Sequence, residues 1–220
     1  VATGQGSGGN IRVSGSSVAL QGSNVSANTF GGSGGRLQLD AVGGLLIDRS
    51  LITAQVASAT GAGGSIGMTA GSLFLRNSIV SASAFAGNGG NMKISSSGTN
   101  IAAYSRVSAE VLTGQGDGGN LDIEGGALLL RNSTVSANAY GGRGGNILID
   151  SKNILTNTAS QVTASSALGI DGTVVFSSPA ADLSGALFAV SSTFLDAAVA
   201  QGGVCAVPRA QGRATLALRL

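Results

Sequence analysis

The sequence predicts an all-β fold: a right-handed parallel β-helix of about seven coils, 26–29 residues each, with three short strands per coil and a carboxyl-terminal cap. Three observations predict it. A Gly-Gly pair followed by a polar residue and an alternating apolar pair recurs seven times, the last copy degraded to Asp171-Gly172-Thr173-Val174. Between successive pairs, three segments alternate apolar and polar residues in the same order each time, which is the period of a half-buried strand. Glycine makes up 37 of 220 residues, yet 43% of the chain is hydrophobic and its net charge is only +2. Disorder goes with few apolar residues and high net charge, so these glycines serve an ordered structure.

The second glycines stand at positions 9, 35, 64, 90, 119, 145 and 172, spaced by 26, 29, 26, 29, 26 and 27. The alternation defines a 55-residue double repeat, in which Phe30, Phe85 and Tyr140 are equivalent. The first strand of each coil follows the glycines, with inward pairs Ile11/Val13, Leu37/Leu39, Ile66/Met68, Met92/Ile94, Leu121/Ile123 and Ile147/Ile149. The second carries Val18/Leu20, Leu45/Ile47, Leu73/Leu75, Ile101/Ala103 and Leu128/Leu130, with Ile154 opening the sixth. The third carries Val25/Ala27, Ile52/Ala54, Val80/Ala82, Val107/Ala109, Val135/Ala137 and Val162/Ala164. Gly, Asn, Ser and Asp between them make turns, by left-handed backbone or side-chain bonding.

Identical phase in every unit is satisfied when like strands stack on like strands, in parallel, at about 4.8 Å per coil. Right-handed crossing is the default for parallel strands. Leucine-rich repeats need a helix or a fixed asparagine motif, and propeller blades need roughly 40–45 residues. One coil cannot cover its own open faces, so stability depends on neighbours. The repeats occupy 1–179. The remaining 180–220 reads as a cap, with a short helix from about Phe194 to Gln201 started by Thr193 and stopped by Gly202, then an alternating strand from Arg213 to Leu220. The pattern is already under way at Gly4, so the chain reads as a fragment of something longer.

Several function classes fall away. Twelve basic residues balance ten acidic ones with no basic run, which speaks against nucleic acid. No stretch reaches the roughly 18 apolar residues of a membrane span. Cys205 is a lone cysteine, so no internal disulfide forms. With no histidine and the carboxylates scattered along the chain, no catalytic residues, cofactor or metal ligands are assigned, and the chain reads as a non-enzyme. Gly116-Asp117-Gly118-Gly119-Asn120-Leu121-Asp122 faintly matches a calcium-binding nonapeptide, but the equivalent Gly32-to-Gln38 stretch lacks both aspartates. The post-glycine row Asn10, Arg36, Ser65, Asn91, Asn120, Asn146 and Thr173 can form partial side-chain ladders along the rod. A row of hydroxyls, Ser26, Thr53, Ser81, Ser108, Ser136 and Thr163, is expected to face outward at one height. Its neighbours Asn28, Gln55, Ser83, Glu110, Asn138 and Ser165 are too irregular for a lattice match, so the row reads as a solvated β surface.

The Gly-Gly-Asn-Ile/Leu-x-Ile/Val and Leu-x-Leu-x-Asn-Ser-x-Val-Ser-Ala units resemble filamentous-haemagglutinin-type exoproteins of Gram-negative bacteria. The tail from Ser191 to Ala198, then Cys205-Ala206 and Arg209 to Leu220, is similar to the carboxyl end of many such proteins. The resemblance implies two-partner secretion through an outer-membrane transporter, and an extended β-helix outside the cell or on its surface. It implies adhesion, aggregation or matrix formation against host-cell, bacterial-surface or matrix glycans and proteins. Two other readings stay open: a carbohydrate-active β-helix that binds or cleaves polysaccharide, and a subunit of a homopolymeric filament joined end to end.

Overall fold

The computed structural model describes residues 6–58 and 61–177. Glycines and alternating apolar residues wind this part into a stack of parallel strands, with no helix among the described residues. The expected cap at 180–220, with its helix and late strand, lies outside the described residues.

The first coil holds β1 (Asn10–Gly15), β2 (Val18–Gln21) and β3 (Asn24–Ser26). The second holds β4 (Arg36–Ala41), β5 (Gly44–Asp48) and β6 (Leu51–Thr53), and the third β7 (Ser65–Ala70), β8 (Ser72–Arg76) and β9 (Ile79–Ser81). The fourth holds β10 (Met92–Ser96), β11 (Thr99–Ala103) and β12 (Arg106–Ser108). In the fifth and sixth, the first two strands run on as one: β13 (Leu121–Arg131) with β14 (Thr134–Ser136), and β15 (Asn146–Thr156) with β16 (Gln161–Thr163). β17 (Thr173–Ser177) begins a seventh coil. The described residues thus make about six full turns. First and second strands form one 11-stranded sheet and third strands a separate six-stranded sheet, all parallel.

The register explains the 55-residue period. Ile11 pairs forward to Leu37, Ile66 and Met92 along the first strands, in steps of 26, 29 and 26, whereas third strands step by 27 or 28. Coils two and four carry one extra residue at the corner between first and second strands, and two extra between the third strand and the next glycine pair. The corner residue sets the inward phase. In coil five Leu121 and Ile123 point in before the Gly125-Gly126 bend, and Leu128 and Leu130 after it, a change of parity. In coil two the longer corner keeps parity from Leu39 to Leu45.

The same rule corrects one assignment. Coil four was expected to point Ile101 and Ala103 inward. With its longer corner, Asn100 and Ala102 are buried, in register with Leu73 and Leu75. The Asn100 amide donates to the Glu124 carbonyl at 2.9 Å, while its oxygen is buried without a partner.

Leu37, Leu45, Ile52, Ile66, Val80, Leu121, Val135 and Ile149 lie in one continuous core that runs the length of the stack. Each large side chain so buried contributes roughly 1.5–3 kcal/mol.

Two devices tie coil to coil. At the turn from second to third strand, Gly22, Arg49, Asn77, Tyr104 and Asn132 adopt left-handed backbone (φ 48–55°). The serine that follows each one accepts the N–H of its counterpart one coil earlier: Ser23 to Ser50, Ser50 to Ser78, Ser78 to Ser105 and Ser105 to Ser133, at 3.0–3.2 Å. The same hydroxyls donate to the carbonyl two residues back, as Ser78 does to Arg76 at 2.7 Å. The second device is the expected asparagine ladder: Asn120 donates to Asn91, Asn146 to Asn120 and Thr173 to Asn146, at 3.2, 3.1 and 2.7 Å.

The Gly-Gly pairs do not work through left-handed turns, because positive φ among glycines occurs at Gly22, Gly32, Gly61 and Gly114. They close a neck. Past its third strand each coil leaves the rod as an arm and returns, and the second glycine donates its N–H to the alanine where the arm left. Gly35 thus bonds Ala27, Gly64 Ala54, Gly90 Ala82 and Gly119 Ala109, at 2.7–3.0 Å. A Cβ on Gly119 would stand 1.8 Å from the Gly90 carbonyl oxygen, so no side chain fits.

Candidate functional site

The outer surface offers three places for chemistry: the face of the third strands, the face of the first strands, and the arms.

The hydroxyl row stands on the third strands as expected, but it is not a solvated surface. Thr53, Ser81, Ser108 and Ser136 are buried, Thr163 is half-buried, and Ser26 in the first coil is exposed. Larger side chains two residues to either side roof the row. Arg106 donates to Glu110 across the intervening Ser108, and Gln55 donates to Ser81 at 2.8 Å. Ser81 in turn bonds Ser83 at 3.0 Å. Thr53 and Ser136 keep buried hydroxyls without hydrogen-bond partners.

The first-strand face collects charges that lie far apart in sequence. Residues about 27 positions apart become neighbours at one coil's rise. Arg12 pairs with Asp40 at 2.9 Å, and Gln38 donates to Asp40 at 2.7 Å. Two coils on, Lys93 bridges Asp122 (2.9 Å) and Glu124, and Ser95 donates to Glu124. Between the two groups Gly67 lacks a side chain, leaving an open groove of about 440 Å³ bordered by Arg36, Gln38, Asn91, Lys93 and Asp122. The Lys93 hydrogen bond holds the Glu124 carboxyl below the usual range, and Glu124, then Asp122, raises Lys93. Both therefore stay charged at neutral pH, and neither is poised to exchange a proton. At the corner of the second strand, the bidentate Arg76 contact lowers buried Asp48 against the opposing effect of burial.

The two aspartates of the calcium-like stretch go separate ways. Asp117 accepts the Arg143 N–H at 2.7 Å, whereas Asp122 accepts Lys93. Among the described residues no three His, Cys, Asp or Glu converge on a metal-sized space.

The arms were read from sequence only as turns. In the structure their outgoing legs stack in register, Thr29 on Val56 on Ala84 on Val111, and Ala139 on Ser166. Val56, Ala84, Val111 and Ala139 are buried. The next residue of each leg, Phe30, Ala57, Phe85, Leu112, Tyr140 and Ala167, is exposed, and together they make an apolar row parallel to the stack. Phe30, Phe85 and Tyr140 are 46–54% exposed, too much for incidental core edges. Between this row and the polar row of the third strands runs a groove of about 230 Å³, lined by Asn28, Gln55, Ala57, Ser83, Phe85 and Leu112. The exact 55-residue recurrence of Phe30, Phe85 and Tyr140 was the sequence signal for it.

No helix among the described residues is long and apolar enough to cross a membrane. Comparison with protein-family models, with curated proteins and with solved structures finds no match.

Proposed function

We propose that this chain is a structural and adhesive segment of a secreted or cell-surface exoprotein of a Gram-negative bacterium, akin to the filamentous-haemagglutinin type. In such a protein a transporter in the outer membrane passes the chain out, and the stacked coils present a long surface for adhesion, aggregation or matrix formation. The observation that carries the reading is the stack itself. A serine ladder runs coil to coil from Ser23 to Ser160 and an asparagine ladder from Asn91 to Thr173, while Asp48 and Glu124 are held charged by Arg76 and Lys93. Such a surface suits a spacer that repeats along an axis. The sequence resemblance adds the export route and the compartment.

One observation favours the carbohydrate-active alternative. Arg12, Arg36, Asp40, Lys93, Asp122 and Glu124 share the first-strand face around the groove at Gly67. Hydrolysis by a carboxylate pair needs one acid that keeps its proton. Here Lys93 lies between Asp122 and Glu124 and holds Glu124 ionised, which weighs against a catalyst.

The test displays the 220-residue chain on non-adherent bacteria. Adhesion to epithelial monolayers and cell–cell aggregation are counted against cells displaying an unrelated solenoid. Increased adhesion or aggregation is expected. Equal counts in both assays, or release of sugar from a polysaccharide panel by the purified chain, would overturn the reading.

A further inference from the structure

We propose that the groove between the third-strand face and the arms binds an uncharged linear polysaccharide laid along the stack. The inference rests on the adhesive reading above and names its ligand class.

The arm does not need its exposed row for its own packing, because Val56, Ala84, Val111 and Ala139 already bury the opposite side of the outgoing legs. Single exposed apolar residues need no explanation, but six in register along one edge form a patch, and patches mark binding surfaces. The aromatic members recur at every second coil, roughly 9–10 Å apart at about 4.8 Å per coil. That interval is close to one disaccharide of an extended glycan.

The other wall supplies the second half of sugar recognition. Asn28, Gln55 and Ser83 line the groove opposite Phe85 and Leu112. A pyranose ring has an apolar C–H face and a rim of hydroxyls. The face stacks on a ring such as Phe85, and the rim meets amides, which donate and accept. At Ala57 the small side chain opens a depression where a ring can reach the Asn28 amide N–H, whose oxygen accepts the Gln55 N–H, and the Gln55 amide, which also donates to Ser81.

Charge selects the kind of glycan. On this wall the Glu110 carboxyl is bound by Arg106 and by the Asn138 amide. The residues lining the groove carry no charge, so a sulfated or uronic polymer gains nothing there. A groove lined by both polar and apolar side chains also fits a narrow polymer better than the flat flank of a second rod.

The test titrates the full chain calorimetrically with cellohexaose, chitohexaose and laminarihexaose, with polygalacturonate as the charged comparison. At least one uncharged hexamer is expected to bind, and its dimer to bind more weakly. Phe85→Ala should weaken binding about tenfold, and Ala57→Leu, which fills the depression, by at least as much. Phe74→Ala, an exposed ring on the second-strand face, should leave binding unchanged. Phe85 is exposed, so its truncation leaves the core intact, and the circular dichroism melt of each variant verifies this. The proposal is overturned if no uncharged hexamer binds, if Phe85→Ala and Ala57→Leu bind like wild type, or if polygalacturonate binds as tightly with a salt dependence. It is also overturned if Phe85→Ala turns a dimer into a monomer in sedimentation, for then a second copy covers the row. Displayed cells that adhere equally with wild type and Phe85→Ala sink the groove and leave the adhesive reading standing. Hexamer binding by a chain that confers no adhesion does the reverse.

Discussion

Replacing Gly119 by alanine should be costly, and the same change at Gly9 should be nearly free. Both glycines are the second of a Gly-Gly pair. A Cβ at 119 would stand 1.8 Å from the Gly90 carbonyl oxygen and 2.9 Å from the Ala109 Cβ, whereas one at 9 meets nothing within 4 Å. Ordinary contact begins near 3.4 Å, so the neck between coils four and five must open by about 1.6 Å, a third of the roughly 4.8 Å coil rise. Overpacking of this kind costs about 1–3 kcal/mol. The Gly119 N–H to Ala109 bond at 2.7 Å is pulled apart in the same movement, adding about 1 kcal/mol. The sum, about 3 kcal/mol, lowers the melting midpoint of a chain this size by roughly 6–12 °C. At Gly9 the backbone φ is not left-handed, so alanine reduces the freedom of the unfolded chain without strain, and stability should hold or rise by up to about 1 kcal/mol. Thermal and urea unfolding followed by far-ultraviolet circular dichroism measures both. Equal effects at 9 and 119, or a Gly119→Ala change within about 0.5 kcal/mol of wild type, would refute the account of the neck.

Ser105→Ala should cost about 1–3 kcal/mol in urea unfolding, because it leaves the buried Ser78 N–H without its acceptor. Ser26→Ala, on the exposed member of the hydroxyl row, should stay within about 0.5 kcal/mol in the same assay. Asn100→Leu should be neutral or stabilising by about 1 kcal/mol, since Leu73 and Leu128 hold its register neighbours' places and one Asn100 oxygen is already an unpaired buried acceptor; a loss above 2 kcal/mol would show that the amide bond to Glu124 outweighs apolar packing. Asp48 and Glu124 titrate below their unfolded values when folded. Their stability is therefore complete above the ordinary carboxylate range and is lost as pH falls through the lowered folded values. Asp48→Asn should flatten the acid limb of a stability-versus-pH curve measured by urea titration, and an unchanged limb would remove Asp48 from that role.

The core was legible because a coil repeats its own period. Alternation at Ile66/Met68 or Leu128/Leu130 is visible within five residues, and recurrence fixes which side is inside. Coil four shows where this stops. Within Thr99–Ala103 the apolar alternate pair is Ile101 and Ala103, and nothing local favours Asn100 as a core residue. The corner length and the leucines stacked above and below decide it. The hydroxyl row failed for a related reason. Its small residues were read along one strand, but Gln55 reaches Ser81 from the neighbouring coil and Arg106 closes over Ser108. The charged face was missed because Arg12 and Glu124 are far apart in the chain. Aligning the third residue after each second glycine, which reads Arg12, Gln38, Gly67, Lys93 and Asp122, would have shown both the charges and the gap between them. The serine ladder was equally open to alignment, as the residue after each left-handed turn.

The unit of this protein is therefore a pair of coils rather than one. A corner one residue longer in coils two and four keeps inward parity there, and the shorter corner reverses it in its neighbours. The same coils carry the two extra arm residues. Aromatic rings stand on the arms of coils one, three and five, with Ala57 and Leu112 between them and Ala167 after the last. A single-coil repeat would place identical side chains every 4.8 Å or so, too close for large rings to leave room between them. Doubling the period separates the rings and opens the depression at Ala57 while the core ladder below continues unbroken. The three extra residues per pair of coils set the core parity, while the exposed rings are spaced by which side chain each in-register outgoing leg carries.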